Sequence, residues 1–302
     1  LSLPARPVPI DYRPTGLIVL HPNQHIEIEA QGVIFDVDET ILEGTGEHVH
    51  DGPEARFAKA IAELLKQEGK DFDLGLWDKN YRPLTGLAES AVCNRLALQV
   101  MKDYGVVISP RDLQDLSNRL VDERFLEFME RVTLVENVHG LIDRISGRQL
   151  RLAVCTASSQ RFIERALHHF GLFSKFTAHV FEATKKIGEH LFSGDPVQDA
   201  CMRLHLAPQT CVMIGDSISD FGAAASGEVP LDIIVLRLPA AGRDQALRKF
   251  QEQRANALAK NGDALSRTVV VVVDNYDQVR VSYSPQARVS YRVPPIEHEI
   301  DA

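Results

Sequence analysis

The 302-residue chain has little from which to build a disulfide scaffold, a membrane span or a polyanion-binding face. Its four cysteines, Cys93, Cys155, Cys201 and Cys211, lie far apart with no C-x-x-C pair, and three sit inside apolar runs. That pattern predicts buried, reduced thiols. No apolar run approaches the ~18 residues of a membrane span, and the longest β-like stretch is residues 269–273. Positive charge is in deficit: 33 Lys plus Arg stand against 42 Asp plus Glu, a net charge of −9. This argues against nucleic acid as a partner, since a broad phosphate-binding face needs the opposite balance. Residues 1–16 are rich in Pro and interrupted by Arg6, Asp11 and Arg13, unlike a secretory signal. The expectation is a cytoplasmic globular protein without a membrane segment. At roughly 150 residues per domain the length suits two domains, and 44% hydrophobic residues supply a sizeable core.

The pattern along the chain divides it in four. Residues 1–30 read as an arm followed by a β-hairpin, with Gly16-Leu-Ile-Val-Leu20 and His25-Ile-Glu-Ile-Glu29 flanking a turn. Gly32-Val-Ile-Phe35 is continuously apolar and ends in Asp36-Val-Asp38, as expected of a strand buried on both faces of a parallel sheet. Residues 43–140 are helical in period, and with 18 acids and 12 bases they hold −6 of the net −9. From 141 to 275 strands alternate with helices, the signature of βαβ units. The predicted fold class is therefore α/β: a Rossmann-like parallel sheet formed by 31–42 and 141–275, with 43–140 inserted as a helical domain. The tail, 276–302, repeats Arg280-Val-Ser-Tyr283 as Arg288-Val-Ser-Tyr291 and reads as a second β-hairpin.

Ligands of parallel sheets sit beyond the carboxyl ends of the strands, and three strand ends here carry reactive groups. The first offers Asp36 and Asp38, the second Thr156, and the third Asp216 and Asp220 within Gly215-Asp-Ser-Ile-Ser-Asp220. Four carboxylates meeting in one crevice need a counter-charge, because like charges a few ångströms apart disfavour ionisation. An oxygen-only donor set favours Mg²⁺ over Zn²⁺. Beside such an ion, one carboxylate can attack phosphorus and another can carry the proton.

Phe35-Asp36-Val-Asp38-Glu-Thr40 resembles motif I (DxDxT) of the haloacid dehalogenase superfamily of phosphohydrolases. Val154-Cys-Thr156-Ala-Ser-Ser159 is similar to its motif II, and Ile214-Gly-Asp-Ser-Ile-Ser-Asp220 to its motif IV. Val138 to Ile145 matches the helix that leads into motif II, and 43–135 occupies the place of the family's helical C1 cap. The resemblance implies a Mg²⁺-dependent phosphatase acting on a small phosphorylated metabolite. Asp36 would be the nucleophile, and Asp38 the acid and base, whose backbone carbonyl also binds Mg²⁺. Thr156 would bond the phosphoryl oxygens, Asp216 would be the third protein ligand of the metal, and Asp220 would stand behind the ligands or reach the metal through water.

Two departures stand out. Glu39 occupies a position where the family often has Gly. For the motif III lysine, Gly194-Asp195-Pro196 would align an aspartate, whereas Lys185-Lys186-Ile-Gly-Glu-His-Leu-Phe192 keeps a lysine and a downstream Phe. Lys186 is the expected residue, with Lys185 the alternative. A phosphosugar mutase, a phosphonate hydrolase using Lys59, Lys66, Lys70, Lys79 or Lys102, and a catalytically weak binding or regulatory protein remain open readings. His48, His50 and Asp51 read as a polar linker, His168 and His169 as a solvated helix end, and Trp77 as packing. Arg280, Arg288 and Arg292 read as a solvated hairpin face.

Overall fold

The computed structural model describes residues 16–45, 55–81, 84, 89–146, 149–187, 191–236 and 240–295. The N-terminal arm, His48, His50 and Asp51 lie outside them. The chain enters through β1 (Leu17–Val19), β2 (Ile26–Ala30), β3 (Gly32–Phe35) and β4 (Leu42–Glu43). It then forms helices α1 (Ala55–Gln67), α2 (Glu89–Tyr104) and α3 (Pro110–Met129), and returns through β5 (Thr133–Leu134). Next come α4 (Val138–Ser146), β6 (Arg151–Cys155), α5 (Gln160–His169), β7 (Ala178–Val180), α6 (Asp195–Arg203) and β8 (Cys211–Gly215). The last elements are α7 (Ile218–Ser226), β9 (Leu231–Val235), α8 (Ala240–Asn261), β10 (Val269–Val273), β11 (Val279–Tyr283) and β12 (Ser290–Arg292). No helix among the described residues is long and apolar enough to cross a membrane.

Seven strands form one parallel sheet in the order β1-β10-β9-β8-β3-β6-β7. Helices cover both faces, which is why β8 and β9 are buried along their whole length and β10 is an unbroken run of valines. Burying each such side chain contributes about 1.5–3 kcal/mol. The central strand β3 lies between β8 and β6, in register Phe35 with Ile214 and Phe35 with Val154. The chain runs outward from β3 through β6 to β7, then crosses back to β8 and runs the other way. The three strands that carry the motif residues thus flank the switch point of the sheet, where a crevice opens.

Neither terminal hairpin forms. β1 pairs with β10 at the edge of the main sheet, because Leu17, Ile18 and Val19 have an apolar ladder to join there. β2 instead forms the middle of a three-stranded sheet, parallel to β11 and antiparallel to β12. A lone two-stranded hairpin is marginal in water. Around β2 the alternation settles the pairing: Ile26, Ile28 and Ala30 enter the main core, while Glu27 and Glu29 face Arg292 and Ser290.

The helical insert has a core of its own, made by Phe57, Ile61, Leu65, Val92, Leu96, Val100, Leu113 and Leu116. Trp77 belongs to it, buried and stacked on Tyr81, so packing accounts for it. Ser109 caps α3 by accepting from the Asp112 N–H, with Pro110 in the first turn. The second half of α3 leaves this core: Val121, Phe125, Phe128 and Met129 join the main one, as do Val138, Leu141, Ile142 and Ile145 of α4. The expected boundary at 140 therefore moves back, and the β4–β5 pair forms the neck of the insert.

Candidate active site

At the carboxyl end of β3 the Asp36 backbone N–H donates to the Ile214 carbonyl (2.9 Å), which ties it to β8. One oxygen of its buried carboxylate, Oδ1, accepts from Lys185 Nζ at 2.7 Å. The same amine donates to Asp220 Oδ1 at 2.7 Å. Asp220 stands in the first turn of α7, and its other oxygen accepts from Asp216 N (3.3 Å), Ser217 N (3.2 Å) and Ser217 Oγ (2.6 Å). An acid in the first turn suits the helix dipole as well. Gly215 makes room for it, since a Cβ there would lie 2.4 Å from Asp220 Cγ. Asp216 is half-buried, and carboxylate oxygens of Asp36, Asp216 and Asp220 lie within 4.8 Å of one another.

Burial pushes the Asp36 carboxyl up to about 8, against the pull of Lys185 and with the repulsion of Asp220 and Asp38 added. Asp216 is held well above the usual carboxylate range by burial, then by Asp220 and Asp36. Burial acts to lower the Lys185 ammonium, but Asp220 and Asp36 outweigh it and raise Lys185 well above its ordinary value. The single amine balances only part of the negative charge. All three acids offer hard oxygen donors, so the set fits a divalent cation such as Mg²⁺.

Asp38 faces elsewhere. Its Oδ2 accepts from Thr156 Oγ1 (3.0 Å), just beyond β6, and from Ser158 Oγ (2.6 Å). Its carboxylate is not part of the three-acid cluster among the described residues. Ser158 was not singled out from the sequence, although it stands two residues beyond Thr156. Glu39 adopts φ +55°, the left-handed region that favours glycine, which accounts for Gly being common there. The side chain offsets some of the cost by accepting from Gly44 N at 3.0 Å.

The lysine at Asp36 is Lys185, and Lys186 is not its partner. Lys186 pairs with Phe192 across an antiparallel bridge, and Ile187 N donates to Leu191 O at 2.9 Å. Successive residues of an extended segment point to opposite sides, so this bridge turns Lys185 inward and Lys186 away. Phe192 fixes the register by packing on Gly222, where a Cβ would lie 2.1 Å from the ring. No local sequence signal separates the two lysines, since Phe192 meets Gly222 only in the folded chain. Asp195 does not invert the site charge: it is exposed in the first turn of α6, while Gly194 packs under Ser226 and Gly227. All four cysteines are free and buried, and burial pushes the Cys155 thiol up to about 12.

With this geometry in place, the family follows. The model of the haloacid dehalogenase-like hydrolases matches residues 30–227, and the chain belongs to that family. It is 28% identical over 207 residues to the protein CbbY of Rhodobacter capsulatus, spanning 65% of this chain and 82% of that one. Among solved structures, CbbY of Rhodobacter sphaeroides with bound phosphate has a TM-score of 0.51 at 18% identity, covering 68% of this chain and 86% of that one. A predicted phosphoglycolate phosphatase of Haemophilus somnus also reaches 0.51, at 16% identity, covering 72% of this chain and 91% of its own. These two likenesses concern the fold.

Proposed function

We propose that the protein is a Mg²⁺-dependent phosphatase that hydrolyses a small phosphorylated metabolite through an aspartyl-phosphate on Asp36. The carrying observation is the convergence of Asp36, Asp216 and Asp220 at the strand ends with Lys185 between two of them. Similarity to CbbY supports the reading, since the relative from Rhodobacter sphaeroides holds phosphate.

Lys185 engages Asp36 Oδ1, which leaves Oδ2 to attack phosphorus. As the Asp36–phosphorus bond forms, the bond to the leaving oxygen breaks and Asp38 supplies its proton. Thr156 and Ser158 hold Asp38 for this by bonding Oδ2, so Oδ1 carries the proton. In the second half Asp38 takes a proton from water, the water oxygen bonds phosphorus, and Asp36 is released. Asp36 and Asp216 would hold Mg²⁺, with Asp220 behind them. When bound, the ion offsets negative charge on the phosphoryl oxygens. Lys185 contributes a fixed positive charge at the same place.

The test is Mg²⁺-dependent phosphate release from p-nitrophenyl phosphate by the wild type and Asp36→Asn. The expected result is turnover by the wild type and a loss of at least about a thousandfold in the variant. Undiminished turnover in Asp36→Asn would overturn the mechanism.

A further inference from the structure

The turn that carries Asp38 is held from a part of the chain outside residues 30–227, the stretch that the family model matches. Within the turn the backbone closes on itself. The N–H groups of Thr40, Ile41 and Leu42 donate to the Val37 carbonyl at 3.2, 2.8 and 2.9 Å, and Glu39 N donates to Leu42 O at 2.7 Å. The Thr40 carbonyl accepts from elsewhere: the Tyr276 hydroxyl donates to it at 2.7 Å. Thr40 and Tyr276 are both fully buried. Thr40 Oγ1 has no hydrogen-bond partner, so this residue is fastened by its carbonyl and not by its own hydroxyl. Between Asp38 and Thr40 stands Glu39 at φ +55°, a strained conformation that persists only where the surroundings impose it.

Tyr276 follows β10 and so stands at the carboxyl-end rim of the parallel sheet, the same rim as the site. Its own turn is fixed on two sides. Gln278 is buried and donates from Nε2 to the carbonyls of His21 (2.8 Å) and Gln24 (3.1 Å), while its Oε1 accepts from Asp274 N (2.6 Å). Asp277 Oδ2 accepts from Asn137 Nδ2 at 2.7 Å, just past the β4–β5 neck. The phenol is thus a donor held in one place. Asp38 is held twice, at Oδ2 by Thr156 and Ser158 and through its backbone by this turn. If the turn shifts while Oδ2 stays bonded, the carboxyl pivots and Oδ1 swings off the leaving oxygen. A misplacement of about 1 Å in such a group can cost about a hundredfold in rate.

We propose that Tyr276 is a positioning residue for Asp38: by holding Thr40 it sets the angle at which Asp38 gives its proton to the leaving oxygen. This rests on the phosphatase reading. The experiment compares kcat/KM for p-nitrophenyl, phenyl and benzyl phosphate, whose leaving oxygens need a proton increasingly in that order. Tyr276→Phe keeps the ring in the core and deletes only the donor, and a urea melt checks that it is folded under assay conditions. The variant should stay within about threefold of wild type on p-nitrophenyl phosphate, whose leaving group departs without a proton. On benzyl phosphate it should lose about tenfold, with phenyl phosphate between the two. Asp277→Ala frees Asn137 but keeps the phenol, so all three esters should stay within about threefold of wild type. An equal loss on the three esters in Tyr276→Phe overturns the proposal, because it assigns the hydroxyl to stability alone, and no loss on any of them overturns it too. A loss in Asp277→Ala that grows along the series as in Tyr276→Phe also overturns it, by placing the effect at the neck. Absence of turnover of all three esters by the wild type removes the phosphatase reading and the proposal with it.

Discussion

Asp220 and Asp232 are both buried against the same sheet, and they have opposite surroundings. Asp220 receives four hydrogen bonds, from Lys185 Nζ, two backbone N–H groups and the Ser217 hydroxyl. Asp232, in β9 between Met213 and Val270, is fully buried and neither of its oxygens has a partner. Burial raises its carboxyl well above the usual range, with repulsion from Asp220 added and the attraction of Lys185 opposing. A carboxylate surrounded by donors can stay charged in the interior, whereas one without them is kept protonated. The molecule places its donors at the strand ends, around the proposed active site, and none on Asp232.

The largest break in this contrast comes from removing the shared amine. Lys185→Ala leaves Asp36 and Asp220 buried and facing each other without a cation. Turnover should fall about 100- to 1,000-fold, and a urea melt should show a loss of about 3–5 kcal/mol, as for a buried pair with one partner deleted. Lys186→Ala should stay within about threefold of wild type. Equal damage from the two substitutions would contradict the orientation set by the Phe192 bridge. Gly215→Ala is the next test, because it adds no charge and removes none. Its Cβ would lie 2.4 Å from Asp220 Cγ, so the carboxylate must shift. A displacement of this size should cost about 10- to 100-fold in kcat, and unchanged kcat would show that the position of Asp220 is not critical.

How much of this was legible in the sequence depended on the range of the interactions. The continuous apolar runs at 32–35, 211–214 and 269–273 announced buried parallel strands, and the acids following the first two announced the site. Those signals are local: each strand and its terminal residue are read together. The choice between Lys185 and Lys186 was not local, because it turns on Phe192 seating against Gly222 some 30 residues later in the chain. The pairing of β2 with β11 and β12 was likewise hidden, since Glu27 meets Arg292 only after the whole core has closed between them. Asp232 was hidden for a third reason. Nothing in Leu231-Asp-Ile-Ile-Val235 says whether a lone acid in a strand will find a donor.

Asp232→Asn sharpens the comparison from the other side. The raised carboxyl means that the folded chain keeps a proton which the unfolded chain releases above about pH 4. Stability from this group is therefore complete at low pH and declines as pH rises, by up to about 1.4 kcal/mol per unit, until the folded group itself ionises. Asparagine carries no such proton, so the variant should lose that slope. Urea melts at pH 5 and pH 8 should show it gaining about 1–3 kcal/mol on the wild type at the higher pH. An identical pH dependence in both proteins would mean that Asp232 has a partner after all.

Asp122 supplies the third case, a carboxylate with partners but on the surface, and the smallest effect. Standing on α3, it accepts from Arg161 Nε at 2.8 Å and from Arg165 Nη1 at 2.9 Å, so two guanidinium groups of α5 clamp the second half of α3. All three side chains are partly exposed, which screens the pairs. Arg165 also lies 3.9 Å over the Phe125 ring, a contact that survives loss of the charge. Asp122→Asn should therefore cost only about 0.5–1 kcal/mol at low salt. The difference should vanish by about 1 M salt, where the screening length drops to roughly 3 Å. A loss of several kcal/mol that persists in salt would place this clamp with Asp220 among the interior sites. It would also mean that the amount of solvent around a carboxylate matters less here than the number of donors it receives.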